Sequence, residues 1–265
     1  MASKNADPHI QKKKYLGAYV QPPIPGVYNT IVDFDFTSLY PSIIETYNIG
    51  MNNFFMKTRD PEVGYDLAYH PENLGESVDM WIDPMFENKK VKIKTEDLLK
   101  VIKDKKLIHT INGCFYEAHE DKMSAYSEVL SHLLSARRAY KKKMLDAEGK
   151  GDEETAQFYN TKQMVYKVLA NTLYGVIANK AFRFYDVSCA AAVTISGQEA
   201  LKYSITEGDA FMEYLYDKKE VRHPKEITKR EMFSKDMPDR VPRFIVTGDT
   251  DSIFCCFQEF TGDKS

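Results

Sequence analysis

Cysteine is scarce in this chain. The four present, Cys114, Cys189, Cys255 and Cys256, lack the paired spacing of a zinc site. Cys255 and Cys256 are neighbours on an expected strand and so face opposite ways, and free thiols in a reducing cytoplasm are the reading that follows. Long hydrophobic runs are also missing. None approaches the ~20 residues of a membrane-spanning helix, and the polar residues 1–14 contain no signal-peptide core. The six histidines are scattered and form no ligand pair. Positive charge is not in surplus: 36 Lys and Arg against 39 Asp and Glu leave a net charge of −3, which argues against a self-sufficient nucleic-acid binder. Basic clusters at 12–14, 89–94, 103–106 and 137–143 read as solvated surface, and only the last lies beside residues with chemical potential. No internal repeat or low-complexity tract is present. A hydrophobic content of 43% over 265 residues is enough to bury a core in one or two domains.

What the chain does have is acid in unusual places. Phe244-Ile245-Val246 reads as a short strand entering the turn Gly248-Asp249-Thr250-Asp251-Ser252, and residues 253–257 read as the returning strand. Carboxylates on such a hairpin are poor packing material unless paired or bound to a metal. They suit a hard divalent cation such as Mg²⁺, which prefers oxygen ligands and leaves room for phosphate. A second acidic segment lies far upstream. In Ile31-Val32-Asp33-Phe34-Asp35-Phe36 the acids alternate with apolar residues, as in a half-buried strand, so Asp33 and Asp35 share a face. Residues 37–44 then open a short helix with Pro41 in its first turn, and free N–H groups at such a start can hold phosphate. Carboxylates from two distant segments can hold two Mg²⁺ ions roughly 3.5–4 Å apart, the arrangement of in-line phosphoryl transfer.

Between these segments the sequence predicts long helices over 122–147 and 152–173, joined by Gly149-Lys150-Gly151 into an antiparallel hairpin. Arg137 and Lys141 are i, i+4 neighbours on the first helix. Gln163, Lys167 and Asn171 repeat at the same spacing on the second, with Tyr174 three further on. Cations aligned on adjacent helices repel unless an anion lies between them, and a triphosphate is such an anion. Elsewhere, Pro22, Pro23, Pro25 and Gly26 form a stiff turn. Residues 60–95 read as irregular surface, Thr95 as the cap of a helix over 96–104, and Asn112-Gly113 as a tight hairpin turn. Residues 187–215 suit a helix backing a sheet, and 217–240 a charged surface insertion.

Three stretches together resemble a known family. Asp35-Phe36-Thr37-Ser38-Leu39-Tyr40-Pro41-Ser42-Ile43 looks like motif A of family B DNA polymerases. Lys167-Val168-Leu169-Ala170-Asn171-Thr172-Leu173-Tyr174-Gly175 looks like motif B, and Gly248-Asp249-Thr250-Asp251-Ser252 like motif C, in the family's order. Residues 182–186 and Gly197-Gln198 are similar to the tailed-phage replicative branch.

The resemblance implies an α+β fold. A polymerase palm with an antiparallel β-sheet backed by helices would occupy 1–121 and 181–265, and a two-helix antiparallel fingers hairpin 122–180. It implies template-directed DNA synthesis by two-metal nucleotidyl transfer. Asp35, Asp251 and the Phe36 carbonyl would bind Mg²⁺, with Mn²⁺ as a substitute, and Asp249 would play a supporting part. Ser38 and Leu39 would offer backbone N–H groups to the phosphates, and Arg137, Lys141 and Lys167 would add positive charge. Tyr40 would exclude a ribose 2′-hydroxyl, Asn171 and Tyr174 would face the nascent base pair, and Gly175 would end the helix. The implied partners are deoxynucleoside triphosphates and primer–template DNA, in the cytoplasm of a host cell if the source is a phage. Because motif A lies near Met1 and motif C near Ser265, separate exonuclease and thumb parts are expected as further partners. A non-catalytic nucleotide- or protein-binding assembly module is the alternative reading.

Overall fold

The computed structural model describes residues 17–82, 89–118, 122–217 and 243–261. The basic cluster at 12–14 and most of the expected insertion at 217–240 lie outside the described residues. The fold is mixed α+β, with two antiparallel sheets and helices packed against them.

The first sheet has four strands: β1 (Val20–Gln21), β2 (Ile31–Asp35), β8 (Ile245–Asp249) and β9 (Ser252–Cys256), in the order β1-β8-β9-β2. The pairing of β2 with β9 places Asp35 opposite Ser252, so both acid-bearing segments meet at the same end of one sheet. Helix α6 (Val187–Asp217) covers the back, where Leu201 and Ile205 pack on Ile245, Ile253 and Cys255. Asp209 of α6 accepts hydrogen bonds from the backbone N–H groups of Arg243, Phe244 and Ile245, tying the start of β8 to the helix. The sequence predicts β2 as half-buried. Instead all five of its residues are exposed, because β2 is an edge strand lying outside the cluster in which α6 packs on β8 and β9.

The described residues within 60–95 are not irregular. They form α2 (Glu62–Tyr69), a 3₁₀ turn (Pro71–Asn73), β4 (Ser77–Ile82) and β5 (Lys89–Lys94). With β3 (Phe54–Thr58), β6 (Leu107–His109) and β7 (Cys114–Glu117) they build a second sheet, ordered β5-β4-β3-β7-β6. The alternation is there in Val78 and Met80, which are buried with Leu98 and Phe115, but the lysines of the outer strand β5 mask it. Charged residues on an edge strand also discourage unwanted pairing. Thr95 is the first residue of α3 (Thr95–Asp104) and not its cap; its hydroxyl donates to the Gly75 carbonyl. The Asn112-Gly113 turn joins β6 to β7 as expected. Gly113 has φ 74°, and a Cβ there would lie 2.0 Å from Thr58 Oγ1.

Helices α1 (Leu39–Thr46), α4 (Ala125–Glu148), α5 (Glu153–Ala178) and α6 meet in a core of Ile43, Ile44, Leu130, Ala170, Ile177 and Val193. Helices α4 and α5 form the predicted hairpin. Its turn contains Gly151 at φ 72°, and Asp152 caps α5 by accepting from the Thr155 N–H. Ser124 caps α4 through the Ser127 N–H. Gly175 does not end the second helix, which runs on to Ala178. A glycine inside a helix costs about 1 kcal/mol, less than burying Ile177 one half-turn later contributes. A last short helix, α7, spans Gln258–Thr261.

Candidate active site

The site forms where the end of β2, the start of α1, the β8–β9 turn and the inner faces of α4 and α5 converge. Asp35 closes β2, and the next N–H, that of Phe36, donates to the Asp251 carbonyl at 2.7 Å. That bond staples the two acidic segments together. Thr250 turns the hairpin with φ 54°, and its N–H is held by the Tyr19 carbonyl at 3.0 Å. This left-handed residue is what swings Asp251 towards Asp35. The Asp251 carboxyl is pushed up from its ordinary value, first by burial and then by the neighbouring Asp35 charge. Asp249 pushes the same way more weakly, while the backbone and Lys167 oppose the shift.

A cavity of about 430 Å³ opens over these acids. Asp35, Phe36, Thr250 and Asp251 form its floor, and the turn Thr37-Ser38-Leu39-Tyr40 forms one side. Arg137 and Lys141 from α4 and Lys167 and Asn171 from α5 form the other. Ser38 is the N-cap of α1 with φ 59°, and its hydroxyl accepts from Arg137 Nη1 at 2.5 Å. Asp249 and Tyr174 do not line the cavity. Asp249 ends β8, and one of its oxygens accepts from the Thr250 hydroxyl at 2.9 Å. Tyr174 packs on Tyr40, with ring centroids 4.6 Å apart and a 52° tilt.

The cavity has negative charge below and positive charge above. An occupant matching both would carry an anionic tail against the helices and a metal-bound centre against the acids. Among the described residues no group of three or more His, Cys, Asp or Glu side chains could by itself hold a metal. The donor set is two carboxylates and a backbone carbonyl. That set fits Mg²⁺, which commonly takes one or two carboxylates and completes its shell with water and phosphate oxygens. The raised Asp251 carboxyl points the same way, since two acids held together are relieved by a cation.

A sequence model of DNA polymerase family B matches residues 2–265. The chain belongs to this family. It is 27% identical over 265 aligned residues to the DNA-directed DNA polymerase of Enterobacteria phage T4, covering 92% of this chain and 27% of that protein. To the DNA-directed DNA polymerase of Escherichia phage RB69 it is 29% identical, covering 76% of this chain and 25% of the other. The DNA polymerase of Phaeocystis pouchetii virus is 28% identical, covering 92% and 22%. The chain spans about a quarter of the length of these relatives. Among the described residues no helix is long and apolar enough to cross a membrane.

Within this family B chain, the fold gives some residues parts that sequence patterning did not assign. Gly197 of α6 lies against the Tyr40 ring, where an added Cβ would come within 2.9 Å of Cε1. Gln198, almost fully buried, donates its amide to the Gly17 carbonyl and holds the segment leading into β1. Asp186 caps α6 through the Cys189 N–H at 2.6 Å. Asn48 fastens the root of α4, since its amide donates to the Glu117 and Lys122 carbonyls and its oxygen accepts from the Ser124 N–H.

Proposed function

We propose that this chain carries the nucleotidyl-transfer centre of a template-directed DNA polymerase. Residues 1–121 and 181–265 would act as palm and 122–180 as fingers. The observation that carries the reading is the cavity with Asp35 and Asp251 below and Arg137, Lys141 and Lys167 above, opening on the Ser38-Leu39 turn. In the proposed reaction the primer 3′-hydroxyl oxygen forms a bond to the α-phosphorus of a deoxynucleoside triphosphate. The bond from that phosphorus to the bridging oxygen breaks, the hydroxyl proton passes to solvent, and pyrophosphate leaves.

Asp35, Asp251 and the Phe36 carbonyl would hold the divalent ions, Mg²⁺ or Mn²⁺. When bound, these would lower the pKa of the attacking hydroxyl and neutralise charge on the leaving oxygens. The chain's own residues do the rest. The backbone N–H groups of Ser38 and Leu39 receive the outer phosphates. Arg137 engages phosphate through its fork of N–H groups, and Lys141 and Lys167 act as point charges. The Tyr40 ring, wedged between Tyr174 and Gly197, fills the space beneath the sugar. Asn171 faces the base from α5. Asp249 acts at one remove, by fixing the turn that presents Asp251.

Primer–template DNA and separate exonuclease and thumb parts complete the proposed partners. A net charge of −3 supplies little counterion release for gripping a duplex. Ile31, Val32 and Phe34 on edge strand β2 are 40–49% exposed, and this apolar surface favours packing against further polypeptide. The same exposure favours the second reading, a module that only assembles. Single-turnover primer extension separates the two, with the chain alone and with exonuclease- and thumb-bearing pieces added. Asp35→Asn and Asp251→Asn should each abolish incorporation by the assembly, and Asp249→Asn should slow it less. Equal losses for Asp249→Asn and Asp251→Asn would overturn the ranking of the two acids. An assembly unaffected by Asp35→Asn would leave only the non-catalytic module.

A further inference from the structure

We infer that Gln163 is a positioning residue that aims Arg137 into the nucleotide cavity, an inference that rests on the nucleotide-binding reading above. Gln163 is the odd member of its helix face. Lys167 and Asn171, one and two turns further along α5, are exposed to the cavity, whereas Gln163 is only 7% exposed. A buried amide needs partners for both of its ends. Its oxygen accepts from Arg137 Nε of α4 at 3.4 Å, and its nitrogen donates to Asn160 Oδ1 at 2.9 Å. The two contacts fix the amide's orientation, because turning it over would set its NH₂ against the Arg137 N–H, donor against donor. On the far side of the guanidinium, Nη1 donates to the Ser38 hydroxyl at 2.5 Å. A relay of side chains therefore crosses from α5 through α4 to the N-cap of α1. It leaves the outer N–H groups of Arg137 directed at the cavity that Arg137 lines.

The physical need is clear from the charges. Arg137 and Lys141 are one turn apart on α4, with Lys167 on the facing helix. Without an anchor, Arg137 would swing away from its neighbours into solvent, and a bound phosphate would have to recover that freedom. Ordering one such side chain in advance is worth roughly three- to tenfold in affinity. A neutral acceptor suits this task. A carboxylate in its place would pair with Arg137 and compete with phosphate for the cation, whereas an amide oxygen steers the guanidinium and leaves its charge for the ligand.

The test is a double-mutant cycle on the full chain, read by calorimetric titration of dATP with Mg²⁺. Gln163→Met keeps the volume and removes both hydrogen bonds. It should weaken dATP binding roughly three- to tenfold, yet change it less than about twofold in an Arg137→Ala background. A residue with a merely structural role would give the same factor in both backgrounds, and that outcome would overturn the proposal. So would an unchanged dissociation constant for Gln163→Met when Arg137→Ala weakens binding. The Arg137 Nε–H resonance, assigned by its loss in Arg137→Ala, gives a readout without nucleotide: it should shift and exchange faster in Gln163→Met. If the intact chain binds no dATP, the nucleotide-binding reading falls, while an unmoved Nε–H resonance separately sinks the part given to Gln163. Should Gln163→Met fail to fold, Asn160→Ala, which frees the amide to turn over, must move the same resonance in the same direction.

Discussion

Replacing Asp209 by alanine would loosen the strand that carries the acid-bearing turn, at a distance from the acids themselves. Asp209 projects from α6 and is 5% exposed. One of its oxygens accepts from the backbone N–H groups of Arg243 at 2.8 Å, Phe244 at 2.7 Å and Ile245 at 3.3 Å. Phe244 and Ile245 are 1% and 0% exposed, so water cannot replace the carboxylate at those two amides without opening the strand. Each orphaned buried donor costs roughly 1–3 kcal/mol, while the Arg243 amide, part-buried, recovers a water. The expected loss for Asp209→Ala is therefore about 3 kcal/mol, a factor of ~150 in the folding equilibrium. Asp209→Asn keeps an acceptor oxygen and gives up only charge assistance, about 1 kcal/mol. Urea unfolding followed by circular dichroism measures both values. Amide hydrogen exchange should report faster opening at Phe244 and Ile245 first. An alanine variant within ~0.5 kcal/mol of the parent chain, with unchanged exchange at those amides, would refute the view that Asp209 anchors β8.

Two further outcomes are expected. The Asp251 carboxyl, raised by burial and by the neighbouring Asp35 and Asp249 charges, holds its proton more tightly folded than unfolded. Stability should therefore fall as pH rises from the unfolded carboxylate range through the raised folded value. Mg²⁺ should lift the melting temperature more at about pH 8 than at about pH 5, and Asp251→Asn should stabilise the metal-free chain at pH 8 while removing the Mg²⁺ effect; scanning calorimetry showing a pH-independent Mg²⁺ shift would contradict the site. Tyr40→Ala should raise ribonucleotide over deoxynucleotide incorporation by about tenfold or more, ~1.4 kcal/mol. Gly197→Ala should shift the ratio in the same direction by displacing the ring that its new Cβ meets at 2.9 Å. Competitive incorporation by an assembly containing the chain checks both, and an unchanged ratio for Tyr40→Ala would make Tyr40 a packing residue only.

Much of this architecture could be read locally. The acid-bearing hairpin, the helix opened by Leu39 and Pro41, the α4–α5 pair with its glycine turn, and the long helix from Val187 all announce themselves through period and punctuation. These are properties of neighbouring residues, and physical chemistry at that range needs no tertiary context. The cations on the facing helices were legible for the same reason, since i, i+4 spacing fixes a common face.

What the chain's pattern could not supply was decided by packing. In the second sheet the β6–β7 hairpin is legible from its Asn112-Gly113 turn, but β4 and β5 are not, because lysines on edge strand β5 hide the alternation that Val78 and Met80 keep. Gly175 stays helical because burial of Ile177 outweighs a local propensity that would stop the helix. Strand β2 is exposed throughout because it ends up at an edge, outside the cluster in which α6 packs on β8 and β9, a fact of strand order and packing and not of composition. Residue types determined which groups could do chemistry here: Asp35, Asp251, Arg137, Lys141 and Lys167. Only the tertiary structure decided how they are held, through the Phe36–Asp251 backbone bond, the left-handed turns at Ser38 and Thr250, and Gln163 beside Arg137. Each of those contacts joins residues far apart in the chain or forces a conformation that local preference disfavours, and such choices are made only when the surrounding core is complete.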